Sequence, residues 1–339
     1  MREIGLRANV SVSTVSLALS NSPLVAKRTR EKVREAALQL GYRPNPLVSA
    51  LMRTRRKQLN PELQPTLAMI TCHPTRFGWK TASPILRDFG EGIEARVKAL
   101  GYRIETFWRG EPAMTDERLS DILVARGIKG VLVFPFADPN SRFRLDWSEF
   151  ATVTMGFSIR GMKHDRVASD HHQCVRLAVK RCYERGYRRM ALTDLQHMMD
   201  RVDDRWSGAY LSTLRLYPDA GEPLLYHPTE WRDNELWEWF QRAKPDLIIT
   251  SAPKFFKSWA ESHGLRIPED LGLVSLNVPS LDDTQSGICQ NPDLQAKTAV
   301  DLLVRRLVHH EFGEPRVPTN SLIEGNWVEG ETVRGTLRP

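Results

Sequence analysis

From Thr66 onward, short apolar runs alternate with stretches of helical periodicity. The runs that suit buried strands are Leu67–Cys72, Ile104–Trp108, Gly130–Pro135, Thr152–Phe157, Met190–Asp194, Leu224–His227, Leu247–Ser251 and Leu273–Asn277. Helical periodicity predicts Ile85–Leu100, Thr115–Ala125, His171–Arg185, Arg205–Leu216, Asn234–Arg242 and Lys254–His263 between them, then a long helix Gln295–His310 and a closing strand pair within Ser321–Glu331. Repeated strand–helix units give parallel sheets covered on both faces. This many strands suits two open α/β lobes rather than one.

The first 41 residues carry a different pattern, of three short helices: about Glu3 to Ala8, about Ser13 to Leu19, and Lys27 to Leu40. Ser11 or Val12 opens the second, Ser20-Asn21-Ser22-Pro23 breaks it, and Gly41 ends the third as a C-cap. Two short helices joined by the turn Asn9-Val10-Ser11 form a helix-turn-helix pattern. Asn45 then reads as an N-cap and Pro46 as the first position of a short helix through Arg53. Two turns of helix are marginal alone, and its apolar residues have no evident core. Thr54 to Gln64 reads as a basic, polar linker. The expected fold class is α/β, an all-α helix-turn-helix domain followed by two Rossmann-like lobes. Its expected parts are a head at 1–45, a hinge helix and linker at 46–65, and a core at 66–339. Within the core the first lobe is expected at about 66–158 plus 290–317, the second at about 160–287 plus 319–335.

Charge sharpens the picture. The net charge is +7 over 339 residues, yet residues 1–60 hold twelve Lys and Arg against three Glu, leaving the remainder at −2. A basic run is often only a solvated face. Confinement of the whole excess to the small head points instead to a polyanion, nucleic acid above all. No uncharged apolar stretch reaches the ~18 residues of a membrane span, and the opening residues carry no secretory h-region, so a cytoplasmic protein without a membrane partner is expected. Cys72, Cys174, Cys182 and Cys289 form no CxxC pair, which argues against a zinc module or a disulfide framework.

Residues 10–21, Val-Ser-Val-Ser-Thr-Val-Ser-Leu-Ala-Leu-Ser-Asn, resemble the signature of the LacI/GalR family of transcriptional regulators. Thr29-Arg30-Glu31-Lys32-Val33 and Leu40-Gly41-Tyr42-Arg43-Pro44-Asn45 resemble the family's third helix and its entry to a hinge helix. The later segments Ala99-Leu100-Gly101-Tyr102, Gly127-Ile128-Lys129-Gly130 and Glu184-Arg185-Gly186-Tyr187 match more loosely. The resemblance implies a periplasmic-binding-protein-like core and a homodimer. The dimer would read a palindromic operator in double-stranded DNA, and a small molecule between the lobes, a sugar or related metabolite, would modulate that binding, usually as repression. It places Val12, Ser13 and Leu17 toward base edges, Thr14 and Ser16 toward phosphates, and Leu51 in a minor-groove step. Asn21, Arg28, Thr29 and Asn45 complete the expected DNA-binding set. Beside a change in the effector pocket at Asn277 and Pro292, two departures concern the head. Family members carry several more residues before the first helix, which implies a start upstream of Met1. The position of Leu17 is commonly Arg; leucine can touch a thymine methyl but cannot grip guanine as Arg does.

Ligands in open α/β sheets sit beyond the carboxyl ends of strands. Aromatics beside hydrogen-bonding groups there suit a sugar or another flat polar solute, and the expected effector residues are His73, Phe77, Trp79, Phe136, Arg205, Trp206 and Asn277. Arg205 matches the family's effector-anchoring arginine, but it can equally pair with Asp203 or Asp204, and each aromatic can equally be packing. No cofactor is expected. Asp170-His171-His172 has the composition of a metal cluster, but adjacent residues opening a helix cannot converge on one ion, so no metal is expected. Neither a G-x-S-x-G elbow nor a Walker or G-x-G-x-x-G loop occurs, so no catalytic residues are assigned and an enzyme on this scaffold is disfavoured. A periplasmic-type solute-binding protein remains the alternative; it would leave the basic head without a purpose.

Overall fold

The computed structural model describes residues 2–19, 25–40, 64–281 and 283–335. The hinge-helix expectation at 46–53 and the expected site residues Asn21, Asn45 and Leu51 fall outside the described residues.

The head consists of helices α1 (Arg2–Ala8), α2 (Val12–Leu19) and α3 (Lys27–Gln39). Their shared core is Ile4, Val15, Ala18, Val25, Val33, Ala36 and Ala37, mostly small side chains that let three short helices meet closely. Asn9 takes the left-handed conformation (φ 54°) that turns the chain between α1 and α2. A Cβ on Gly5 would lie 2.8 Å from the carbonyl oxygen of Val10, so the turn folds back onto a position that tolerates no side chain. The Ser11 hydroxyl accepts the Thr14 amide at 3.1 Å and caps α2.

The core holds two six-stranded sheets. The first, in spatial order, contains β2 (Arg103–Trp108), β1 (Thr66–Thr71), β3 (Gly130–Val133), β4 (Ala151–Met155), β5 (Asp165–Ser169) and β11 (Asn320–Ile323), all parallel. The second runs β7 (Leu224–Tyr226), β6 (Met190–Thr193), β8 (Leu247–Thr250), β9 (Gly272–Ser275), β10 (Gly287–Cys289) and β12 (Asn326–Val328), parallel except for the β10–β12 pair. Central strands are buried along their length, as in β3 (Gly-Val-Leu-Val) and β8 (Leu-Ile-Ile-Thr), which is why they read as continuous apolar runs.

Helices α4 (Trp79–Ala82), α5 (Pro84–Ala99) and α6 (Asp116–Ala125) follow first-lobe strands. Helices α7 (His171–Tyr183), α8 (Gln196–Arg201), α9 (Arg205–Leu214), α10 (Asp233–Ala243) and α11 (Pro253–Ser262) belong to the second-lobe part of the chain. The long α12 (Pro292–Val308) returns to the first lobe and packs on α5, with the Ala296 methyl so near Gly92 that a Cβ there would lie 2.8 Å from it. A buried ion pair fastens this return: Arg306 Nη1 meets Asp165 Oδ2 at 2.6 Å, both side chains at most 5% exposed. Asp165 also accepts the Thr319 amide at 2.8 Å and hydroxyl at 2.9 Å, so its remaining lone pairs are satisfied despite burial.

The lobe limits differ from those expected. Residues 165–169 and 320–323 were placed in the second lobe by sequence, yet both are strands of the first sheet. The anticipated closing pair is also not a pair, because β11 and β12 lie in different sheets. The Asp-Arg-Val-Ala-Ser of β5 holds two charges in five residues, which hides a strand from an apolar-run criterion. The chain therefore passes between lobes three times: after β5, after β10, and between β11 and β12. The passages bond to one another. Asp170 N donates to Ile323 O at 2.8 Å, Gln173 exchanges two hydrogen bonds with Gly325 (2.9 and 3.2 Å), and Asn291 Nδ2 donates to Glu324 O at 2.8 Å.

Candidate functional site

Two regions carry candidate chemistry. In the head, Val15 and Ala18 turn inward and are fully buried, leaving Val12 (47% exposed), Ser13 and Leu17 (39% exposed) on the outer face of α2. Ser13 and Thr14 hydroxyls lie 2.7 and 2.8 Å from the Ser11 hydroxyl. Arg28 is exposed and Thr29 half-buried at the start of α3, whose first turn carries no acidic residue. The face presented by α2 is thus short-chained and uncharged, with cations beside it on α3. Such a surface lets a backbone approach a groove while neighbouring cations meet phosphates. The side chain of Ser16 lies outside the described set.

In the core, a cavity of about 330 Å³ lies between the lobes. Ser83, Ile85, Leu86, Phe89 and Phe157 line it from the first lobe; His171, Asp194, Arg201, Trp206, Trp231, Ser251 and Asn277 line it from the second. Gln290 and Gln295 border it near a chain passage. The wall is held by a relay of amides. Gln295 Nε2 donates to Gln290 O at 2.6 Å, and Gln290 Nε2 donates to Leu276 O at 2.7 Å and Asn277 Oδ1 at 2.6 Å. Trp206 Nε1 donates to His171 Nδ1 at 3.0 Å, so that nitrogen carries no proton. Burial, with Arg205 nearby, pushes His171 down to about 4, which keeps it a neutral hydrogen-bonding group at neutral pH.

Asp194, at the end of β6, accepts the Ser251 amide at 2.6 Å and the Leu195 amide at 3.0 Å. Burial pushes its pKa up, against these hydrogen bonds. It ties the ends of β6 and β8 together beneath the cavity floor. Arg201, at the end of α8, is shifted down by desolvation alone.

Of the seven expected effector residues, Trp206 and Asn277 line this cavity. The other five stand elsewhere. Trp79 is 1% exposed and fills the space over Gly90, where a Cβ would lie 2.0 Å from its ring. Phe136 is fully buried against Phe143. His73 is buried and its Nε2 donates to Pro135 O at 3.0 Å. Phe77 is 52% exposed at the surface. Arg205 lies 3.8 Å over the Phe157 ring and 3.7 Å from Asp203, lining a separate recess of about 240 Å³. His171, Asp194, Arg201, Gln290 and Gln295 line the cavity and lie outside the expected effector set. The strand-end rule could have found Asp194, which closes a recognised apolar run. Gln290 follows a strand of three residues, Gly-Ile-Cys, too short for periodicity to reveal. Among the described residues no group of three or more His, Cys, Asp or Glu could hold a metal ion, and no helix is long and apolar enough to cross a membrane.

Comparison with known proteins gives two family matches: "Bacterial regulatory proteins, lacI family" over residues 1–45, and "Periplasmic binding protein-like domain" over residues 179–333. Among similar curated proteins, the ribose operon repressor of Lactococcus lactis subsp. lactis is 24% identical over 282 residues, covering 81% of this chain and 79% of that one. The transcriptional regulator CelR of Thermobifida fusca is 25% identical over 335 residues, covering 94% and 93%. Among solved structures, the lac repressor dimer bound to operator and an anti-inducer superposes with a TM-score of 0.60 at 17% identity, covering 98% of both chains.

Proposed function

The chain belongs to the LacI/GalR family of DNA-binding transcriptional regulators, and from that premise we propose how its parts divide the task. Residues 1–45 read an operator as one half of a homodimer, 46–65 connect head to core, and the remainder senses a small carbohydrate-like metabolite. The reading assigns the chain no reaction of its own and places it in the cytoplasm, where its DNA is. Repression is the expected outcome of binding.

The single observation that carries this reading is the pairing of an outward-facing recognition surface on α2 with an interlobe cavity in the same chain. Val12, Ser13 and Leu17 meet base edges. Thr14, Ser16, Arg28 and Thr29 meet phosphates, and Asn21, Asn45 and Leu51 contribute from segments beyond those described. Leu17 at 39% exposure offers an apolar contact suited to a thymine methyl. In the cavity, Trp206 supplies an apolar face, and Asn277 with Gln290 supplies amides for hydroxyls.

The test is selection of bound sequences from random duplexes by the full-length protein, followed by titration with salt. The expected result is an enriched palindrome whose affinity falls steeply with salt. Leu17→Arg shifts base preference at one position of each half-site, whereas Arg28→Ala weakens all sequences alike and lowers the salt slope by about 1. Leu51→Ala lowers specific binding far more than nonspecific binding. Absence of any enriched palindrome would sink the reading.

A further inference from the structure

We infer that the solute held between the lobes carries an acidic group, a carboxylate or a phosphate, and that Arg201 is the residue that anchors it. This rests on the cleft being the effector site, and it departs from the expectation that Arg205 does the anchoring.

The argument starts from an unmatched charge. Arg201 lines the cavity, and among the described residues its side chain has no hydrogen bond and no ion pair. Nearby acids are already engaged. Arg160 lies 3.7 Å from Asp200 and 3.9 Å from Asp203, and Asp203 is shared with Arg205 at 3.7 Å. Asp194 is the only carboxylate among the described cavity-lining residues, and its two oxygens accept backbone amides of Leu195 and Ser251. Desolvation lowers the Arg201 pKa without any acidic group to offset it, and Arg201 in turn helps lower that of His73. A half-buried guanidinium without a counter-charge is costly for the empty protein. Its planar fork matches a carboxylate or phosphate through two parallel hydrogen bonds. A neutral polyol would use the same donors but leave the charge unmatched. Trp206, Asn277 and Gln290 line the same cavity and suit the ring and hydroxyls of a sugar acid or sugar phosphate. The volume, about 330 Å³, is at the small end for ligand sites, so one small solute fits.

The experiment compares matched probes on the full-length protein by thermal shift and calorimetry. D-Glucose and D-galactose are set against D-glucuronate, D-galacturonate, D-gluconate, glucose 6-phosphate and galactose 6-phosphate. Wild type, Arg201→Met and Arg201→Lys are measured. We expect saturable stabilisation of the wild type by at least one acidic probe and at least tenfold weaker binding of its neutral counterpart. Arg201→Met loses at least tenfold affinity for that acid, and Arg201→Lys recovers part of it. Whether the carboxylates or the phosphates bind identifies the source of the anion. Ligand-free Arg201→Met melts no lower than wild type, because it sheds an unmatched charge rather than a structural contact. The inference is overturned if neutral sugars bind as tightly as the acids, if no acidic probe binds, if Arg201→Met keeps its affinity, or if that variant unfolds or melts lower without ligand. Operator binding is measured in parallel. An intact palindrome preference alongside any of those failures removes this inference alone, whereas its loss in the wild type removes the regulatory reading beneath it.

Discussion

Both lobes wind six strands in the same spatial order, yet they bring different rings to the cleft: Phe89 and Phe157 from the first lobe, Trp206 and Trp231 from the second. In the first lobe Trp79 and Phe136 turn away from the cleft into packed clusters, Trp79 against Phe134 and Phe136 against Phe143. In the second lobe Trp206 and Trp231 line the cavity, with Asp194, Arg201 and Asn277 beside them. The first lobe brings apolar side chains such as Ile85, Leu86 and Phe89, with the small hydroxyls of Ser83 and Ser158. A common winding thus fixes where a cleft lies but not which side supplies its specificity. That depends on whether a buried ring also borders the cleft, as Trp206 does, or packs away from it, as Trp79 does over Gly90.

The largest expected effect tests this asymmetry directly. Trp79→Ala should cost about 3–5 kcal/mol of stability, measured by denaturant melts, while the milder Trp79→Phe leaves effector affinity within about twofold. Trp206→Phe should remove the hydrogen bond to His171, cost about 1–3 kcal/mol of stability by leaving a buried partner unpaired, and weaken effector binding because the ring borders the cavity. Equal effects of the two phenylalanine variants on ligand affinity would break the comparison.

Next in size is a pH effect shared by the lobes. Burial holds His164 in the first lobe and His171 in the second at about 4, below the usual histidine value. The unfolded chain therefore takes up protons first as pH falls. The stability contributed by neutral burial is complete above about pH 6.5 and is lost toward pH 4, at up to about 1.4 kcal/mol per pH unit per histidine. Melts from pH 7 to 5 should show this decline, and His164→Gln or His171→Gln should each flatten it. A slope unchanged in both variants would show that other groups govern it.

Gly92→Ala should cost about 1–3 kcal/mol, because α5 and α12 would have to separate at Ala296; calorimetric melts of the purified variant measure it. The smallest effect is expected at Arg205→Ala. That side chain is 42% exposed and its ion pair with Asp203 spans 3.7 Å, so stability should change by less than about 1 kcal/mol. A large loss of ligand affinity in the same variant would return the anchoring role to Arg205.

Much of the architecture is legible in the sequence because most of the parallel strands are buried and apolar: eight runs named from the sequence coincide with strands β1–β4 and β6–β9. The strands missed are β5, which carries Asp165 and Arg166, and β10, of three residues. Asp165 is buried only because Arg306, 141 residues later, comes back to pair with it, a distance no local pattern spans. The cavity is less legible for a similar reason. Residue type marks Trp79 and Trp206 alike as ligand-facing. Both rings are buried at 1% exposure; Trp79 packs over Gly90 away from the cleft, whereas Trp206, bonded to His171, still borders it.

The three bonded passages between lobes carry one more consequence, for synthesis. Neither lobe is a continuous stretch of chain: the first lacks its α12 cover until residue 308 and its outer strand until 323, and the second waits for 326–328. The head, whose described residues end at 40, is complete early. On a ribosome, the part that faces DNA can therefore take shape while nearly the whole sensor is still unfinished. A message cut short between codons 45 and 320 would then yield a chain with a reading head but no complete sensor lobe to govern it.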